Sequence, residues 1–132
     1  METAVSGILL DTHVLLWWLG DRKRLSSAAF SAIEDPANKA YVSAVSAWEM
    51  TIKQRLGKLN AGPILADFEH LLEEEGFTPL HITVGHALHV GSEKSANKDP
   101  FDQLLAAQAR LENLSIVSSD RFFDKQAIRR IW

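Results

Sequence analysis

The chain has 132 residues, 46% of them apolar and 23% charged, the balance of an ordinary globular domain, so residues 1–132 are read as one unit. It contains no cysteine, which excludes disulfide scaffolds, thiolate zinc sites, cysteine nucleophiles and iron–sulfur clusters. With 14 Lys and Arg against 17 Asp and Glu the net charge is −3, which by itself argues against a generic basic nucleic-acid coat.

The longest apolar run, Val14 to Leu19, falls far short of the ~20 residues a membrane span needs. Met1-Glu2-Thr3-Ala4 lacks the basic start of a signal peptide. The expectation is a soluble cytoplasmic chain with no membrane partner. Gly7-Ile8-Leu9-Leu10 reads as a strand buried on both faces. A helix over 12–19 stops at Gly20, and a second covers 26–34 before Pro36. Tyr41-Val42-Ser43 is a short strand. Val45, Trp48, Ile52, Leu56 and Leu59 form a helical stripe over about 44–58. Residues 63–75 read as one helix with Glu73-Glu74-Glu75 at a solvated end, and Phe77 to Ile82, interrupted by Pro79, as an edge strand or loop. A helix near 83–90, a polar loop from Gly91 to Lys98, a helix from Pro100 to Asn113 and a strand over 115–118 follow. The tail, Arg129 to Trp132, reads as a last short strand. Strands alternating with helices imply an α/β fold with a parallel sheet between helical layers, and ligands then bind beyond the carboxyl ends of the strands.

Acids stand at those ends. Asp11 follows Ile8-Leu9-Leu10, and Asp120 follows Ile116-Val117. Glu49 and Asp102 sit in early helical turns on the same edge, and Asp99 precedes Pro100 at a helix start. Each has a plain structural reading as well. Ser46-x-x-Glu49 has capping-box spacing, Glu49 can pair with Lys53, Asp99 suits an N-cap, and Asp11 and Asp120 suit a cap and a turn. Asp102, by contrast, shares a helix face with Ala106 and Ala109. Crowded carboxylates repel one another and raise each other's pKa, so a fold that gathers them does so for a cation. An oxygen-only donor set suits Mg²⁺ or Mn²⁺, and such a site serves phosphate or phosphodiester hydrolysis.

In order and spacing, Leu9-Leu10-Asp11-Thr12-His13, Ser46-Ala47-Trp48-Glu49, Asp99-Pro100-Phe101-Asp102-Gln103 and Val117-Ser118-Ser119-Asp120 span nearly the whole chain. With these the sequence resembles a PIN-domain ribonuclease, of the VapC type found as the toxin of bacterial toxin–antitoxin pairs. The resemblance implies a three-layer PIN-like domain with a short, mainly parallel central sheet flanked by helices. It implies Asp11, Glu49, Asp102 and Asp120 as catalytic, metal-binding acids, Asp99 as an accessory acid and Thr12 as a polar contact. It also implies Mg²⁺- or Mn²⁺-dependent cleavage of structured RNA such as transfer RNA, a homodimer, and a VapB-like antitoxin that covers the site. Asn97 and Gln103 stand where members often carry His and Arg, which removes positive groups beside the acids.

Other residues carry weaker signals. His86-x-x-His89 has helical spacing for a metal but no marked third ligand. His13, next to Asp11, reads as a partly buried structural histidine in preference to a substrate contact. Trp17 and Trp18 point about 100° apart on a helix, so either one faces a protein interface or the helix lies in a wide core groove. Of the basic residues, Lys53, Lys98 and Arg121 flank the acids and are the RNA-backbone candidates. Two other classes remain open. One is an acid-cluster phosphatase or phosphotransfer domain with an aspartyl nucleophile; His13, however, stands where a haloacid-dehalogenase-like enzyme needs a second Asp. The other is a non-catalytic module whose acids receive an Arg-rich peptide. Without the four metal-binding acids the bases outnumber the remaining acids by one. The net charge therefore does not count against RNA.

Overall fold

A computed structural model describes residues 7–92 and 99–132. Within these residues five strands form one sheet in the order β3-β2-β1-β4-β5, with every pairing parallel. The strands are β1 (Gly7–Leu10), β2 (Lys39–Ser43), β3 (Thr78–Leu80), β4 (Ser115–Val117) and β5 (Arg130–Ile131). The helices are α1 (Thr12–Gly20), α2 (Ser27–Glu34), α3 (Ala44–Arg55), α4 (Gly62–Ala66), α5 (Phe68–Glu75), α6 (Val84–Ser92) and α7 (Pro100–Leu111), with 3-10 turns at Arg22–Arg24 and Arg121–Lys125. None is long and apolar enough to cross a membrane.

β1 is the centre of the sheet because its residues can be buried on both faces. Successive side chains alternate across a strand, so Ile8 and Leu10 enter one core and Leu9 the other. The first core adds Val14, Leu15, Trp18, Ile33, Val42 and Met50, bringing α1, α2 and α3 onto one face. The second adds Leu105, Ala106, Ala109, Ile116 and Phe123, bringing α7 onto the other. Each fully buried aliphatic side chain contributes roughly 1.5–3 kcal/mol, which makes these two layers the main support of the sheet. The result is the three-layer α/β architecture expected from the sequence.

Several boundaries differ from the sequence reading. The segment expected as one helix over 63–75 is two, broken at Asp67 (φ −138°, ψ 38°). Leu65 and Phe68 both pack on the first core, and the break turns each short helix toward it. α3 ends at Arg55 because Gly57 adopts a left-handed φ of 74°. Glu75 is not merely solvated: its carboxylate accepts the Trp18 indole N–H at 2.8 Å. Pro79 sits in β3 at the sheet edge, where its missing N–H costs no ladder bond. In the expected 91–98 loop, Gly91 and Ser92 belong to α6, and the rest, with Asn97 and Lys98, lies outside the described residues.

Candidate active site

Parallel pairing aligns the ends of the central strands. Leu10 is in register with Val42 on one side and Val117 on the other. The chain leaves all three strands on the same edge, and polar residues take over there. Asp11 caps α1, its Oδ1 accepting the Val14 N–H at 2.8 Å. Ser43 caps α3 by accepting the Val45 N–H at 2.9 Å. Asp120 caps the last 3-10 turn through the Phe122 N–H at 2.9 Å. Asp99 caps α7, accepting from Phe101 at 2.8 Å and Asp102 at 3.1 Å, as its place before Pro100 suggested.

These residues converge on a cleft of about 310 Å³ lined by Asp11, Thr12, His13, Glu49, Lys53, Asp99, Asp102, Ser119 and Asp120. All five acids picked from the sequence are there, together with Thr12 and Lys53. Arg121 is exposed and does not line the cleft. Lys98 lies outside the described residues.

Hydrogen bonds fix the floor of the cleft. Asp11 and Glu49 are buried, with 7% and 4% of their surface exposed. The Ser118 hydroxyl donates to Asp11 Oδ2 and accepts the Asp120 N–H at 3.0 Å, which ties the acids after β1 and β4 together. The Thr12 hydroxyl donates to Glu49 Oε1 at 2.6 Å and lies 2.9 Å from the Ser46 hydroxyl. Lys53 Nζ donates to Glu49 Oε2 at 2.5 Å. The capping-box reading of Ser46 and Glu49 therefore fails. The cap is Ser43, Ser46 is a buried residue inside α3, and Glu49 is turned toward α1.

Charge is unevenly supported here. Burial pushes the Asp11 carboxyl above its ordinary value; the Ser118 hydroxyl, the Val14 N–H and His13 offset this only in part, and Glu49 adds to the rise. Burial disfavours the Lys53 ammonium, yet its bond to Glu49 and the fields of Glu49, Asp99 and Asp102 outweigh that and hold it above the usual lysine range. Among the described residues that line the cleft, five are carboxylates and Lys53 is the ammonium drawn toward them.

The donor set matches a hard divalent cation in kind: carboxylate oxygens, no thiolate, in an open polar cleft. Among the described residues no three His, Asp or Glu side chains form a ready cage as they are turned here. Both oxygens of Asp11 and both of Glu49 accept hydrogen bonds from protein donors, and each carboxylate oxygen keeps a second lone pair that an ion can use.

Three residues were misjudged or missed. His13, expected to be partly buried, is exposed and lines the cleft, because α1 turns its Val14–Leu15 face inward and leaves position 13 outside. Ser118 and Ser119 carry no chemical signal in the sequence beyond their place in a motif, yet one holds Asp11 and the other lines the cleft. Their position immediately after a buried strand was the available signal. The histidine pair on α6 binds protein groups: His86 Nε2 donates to Glu112 Oε2 at 2.9 Å, and His89 Nε2 accepts from Arg110 Nε at 3.2 Å. The two adjacent tryptophans divide as their angular offset requires. Trp18 is buried against Phe30 and Phe77, and Trp17 is half-buried beside His13 and Trp132.

Comparison with known proteins agrees with this architecture. The family model described as PIN domain matches residues 8–128. Ribonuclease VapC22 of Mycobacterium tuberculosis (strain ATCC 25618 / H37Rv) is 34% identical over 118 residues, which cover 86% of this chain and 87% of that protein. Among solved structures, VapBC-1 from nontypeable Haemophilus influenzae aligns with a TM-score of 0.67 at 16% identity, over 94% of this chain and 96% of that one. VapBC2 from Rickettsia felis, bound to a DNA fragment from their promoter, aligns with a TM-score of 0.64 at 13% identity, over 96% and 99% of the two chains. At such identities the structural likeness is one of fold.

Proposed function

The chain belongs to the PIN-domain family, and from that premise we propose that it is a VapC-type toxin, a metal-dependent endoribonuclease held in check by a VapB-like antitoxin. The observation that carries the reading is the gathering of Asp11, Glu49, Asp99, Asp102 and Asp120 from four elements onto one cleft at the carboxyl edge of a parallel sheet. Structural acids satisfy helix caps one by one. Five on one cleft exceed that need, and their mutual repulsion calls for a cation.

Asp11, Glu49, Asp102 and Asp120 are the residues that would hold Mg²⁺ or Mn²⁺, with Asp99 in support. When bound, the ion activates water and neutralises charge on the scissile phosphodiester. The chain supplies the rest. Ser118 and the Val14 N–H hold Asp11 at the end of β1. Thr12 aims Glu49 across the gap between α1 and α3. Lys53 neutralises Glu49 and lies where it can pass its ammonium to an RNA phosphate. Arg121, exposed beside Asp120, is a second backbone contact. The family resemblance supports structured RNA such as transfer RNA as substrate, a homodimer as the assembly, and hence the cytoplasm as the place of action. An antitoxin arginine entering the cleft would satisfy the same carboxylates that hold the ion.

The test is RNA cleavage by the purified chain with Mg²⁺ or Mn²⁺, abolished by chelation, together with mapping of RNA ends after induction in cells. Cleavage that persists at the wild-type rate in Asp11→Ala or Asp102→Asn protein refutes the site. No metal binding by calorimetry, combined with tight binding of an Arg-rich peptide, points to a binding module instead.

A further inference from the structure

Beside the acid cleft lies a second cavity, of about 210 Å³, between α1 and the end of α3. The two share the wall formed by Thr12, His13, Glu49 and Lys53, so they are adjoining chambers of one depression. Their chemistry differs. The second chamber has Leu16, Met50 and Leu59 for apolar lining, and Lys58 joins Lys53 at its polar side. His13, exposed, stands on the divide.

The His13 ring is backed by an aromatic series. Trp17 lies one helical turn on, with ring centroids 5.9 Å apart and planes at 37°, and Trp132 packs against Trp17 at 5.8 Å. The Arg24 guanidinium lies 5.0 Å from the Trp17 centroid. Residues at i and i+4 share a helix face, and rings at these separations attract. One side of His13 is thereby supported, and the side toward the chambers is left open. None of this is needed to seat an ion on the carboxylates, nor does His13 fill the core.

We propose that this chamber is a nucleobase subsite, in which an unpaired base of the RNA strand next to the cleaved phosphodiester stacks on His13 over the Leu16–Met50–Leu59 lining. This rests on the ribonuclease reading of the adjoining cleft. A chamber of about 210 Å³ with Leu16, Met50 and Leu59 as its apolar walls has room for a single planar heterocycle, and a base that enters it leaves the stack of its neighbours. An aromatic ring stacks on any base, because every base presents a π face, and the contact is therefore tolerant of sequence. The ammoniums of Lys53 and Lys58 lie where the flanking phosphates of such a strand run. Single-strand recognition elsewhere combines the same parts, an aromatic platform beside a cationic track.

The test uses the cleavage-deficient Asp102→Asn chain with Mg²⁺ and single-stranded oligonucleotides that span a mapped cleavage position, replacing each base in turn by an abasic residue. The expected result is an approximately 10-fold loss of affinity at one position adjacent to the cut, the size of one base–aromatic stack. His13→Ala should produce the same loss with the intact strand and little further loss with the abasic one. His13→Phe should restore binding, which a general-acid or ion-ligand role for His13 would not allow. Independent, additive losses from the two changes, or no loss from His13→Ala, overturn the proposal. It is also overturned if His13→Ala spares RNA binding but dissociates the chain's oligomers in sedimentation, because the chamber then belongs to a protein interface. If the wild-type chain cuts RNA with no abasic or His13 effect, only the subsite is wrong. If it neither binds nor cuts RNA, the ribonuclease reading itself has failed.

Discussion

Two polar clusters are buried against this sheet, and they have opposite designs. Under α6, Gln108 accepts the Ser43 hydroxyl at 2.6 Å and donates to the His81 carbonyl at 3.2 Å. His86 accepts the Thr83 N–H on Nδ1 at 3.0 Å and donates from Nε2 to Glu112. Donors and acceptors alternate there, and one carboxylate completes the set. At the strand ends the acid cleft is also hydrogen-bonded, and no buried side-chain oxygen or nitrogen lacks a partner among the described residues. Yet five carboxylates line one chamber, and among the described residues Lys53 is the ammonium that lines it with them. The α6 cluster is balanced and so holds structure together. The acid cleft crowds like charge onto one chamber, and a cation would relieve that repulsion. Satisfied hydrogen bonds therefore do not distinguish structure from function here; the crowding of like charge does.

The sharpest way to break this contrast is to remove one carboxylate. Asp102→Asn preserves shape and should lower RNA cleavage by ~10³-fold or more, about 4 kcal/mol of transition-state stabilisation at 1.4 kcal/mol per decade. Gel assays measure the rate, and an unchanged near-ultraviolet circular dichroism spectrum shows that the fold persists. The same operation on the balanced cluster should have the opposite outcome. Gln108→Leu strands the Ser43 hydroxyl and the His81 carbonyl and should destabilise the chain by roughly 1–3 kcal/mol in urea unfolding. The cleavage rate of the folded fraction should remain near wild type.

A third prediction lies between them. In metal-free protein Asp11 has its folded pKa raised above the ordinary 3.8, with burial the leading cause. A raised carboxyl favours the folded state fully only below the unfolded value, and that contribution is lost as pH rises through the folded pKa. Asp11→Asn should therefore raise stability relative to wild type at neutral pH, and the advantage should vanish below about pH 3.8. Urea midpoints measured across pH in the presence of a chelator check this. A stabilised but inactive variant would mark Asp11 as placed for chemistry at a cost to the fold. The smallest effect concerns Lys53. Its ammonium neutralises Glu49 but is one-third exposed, so Lys53→Met should change stability by under ~1 kcal/mol. It should also tighten Mn²⁺ binding several-fold in calorimetry, since the competing cation is gone. Unchanged Mn²⁺ affinity would show that Glu49 is not an ion ligand.

Most of the cleft is legible in the sequence. Asp11 and Asp120 follow short apolar runs that read as buried strands, and in a parallel sheet such residues share an edge. Asp99 was readable as a helix cap from the proline after it. Glu49 was harder, because the same four residues, Ser46 to Glu49, spell a capping box. What decided against it was the helix beginning two residues before Ser46, with Ser43 as cap, a boundary that periodicity resolves poorly. His13 was misread because an amphipathic pattern assigns faces only where polar and apolar residues separate cleanly, and α1 is apolar around most of its circumference. Ser118 carried no chemical signal of its own, since a serine after a strand is as suited to a turn as to holding a carboxylate.

The sequence by itself determined the order of the elements, the parallel sheet and the identity of the acids, because strand length, apolar runs and capping chemistry are local properties. Tertiary structure alone decided which partner each acid takes, that His13 faces the cleft and that an apolar chamber adjoins it. Those outcomes depend on how α1 and α3 rotate as their apolar faces pack on the sheet. A rotation of one residue, about 100°, is invisible in composition yet determines which side chains the cleft presents.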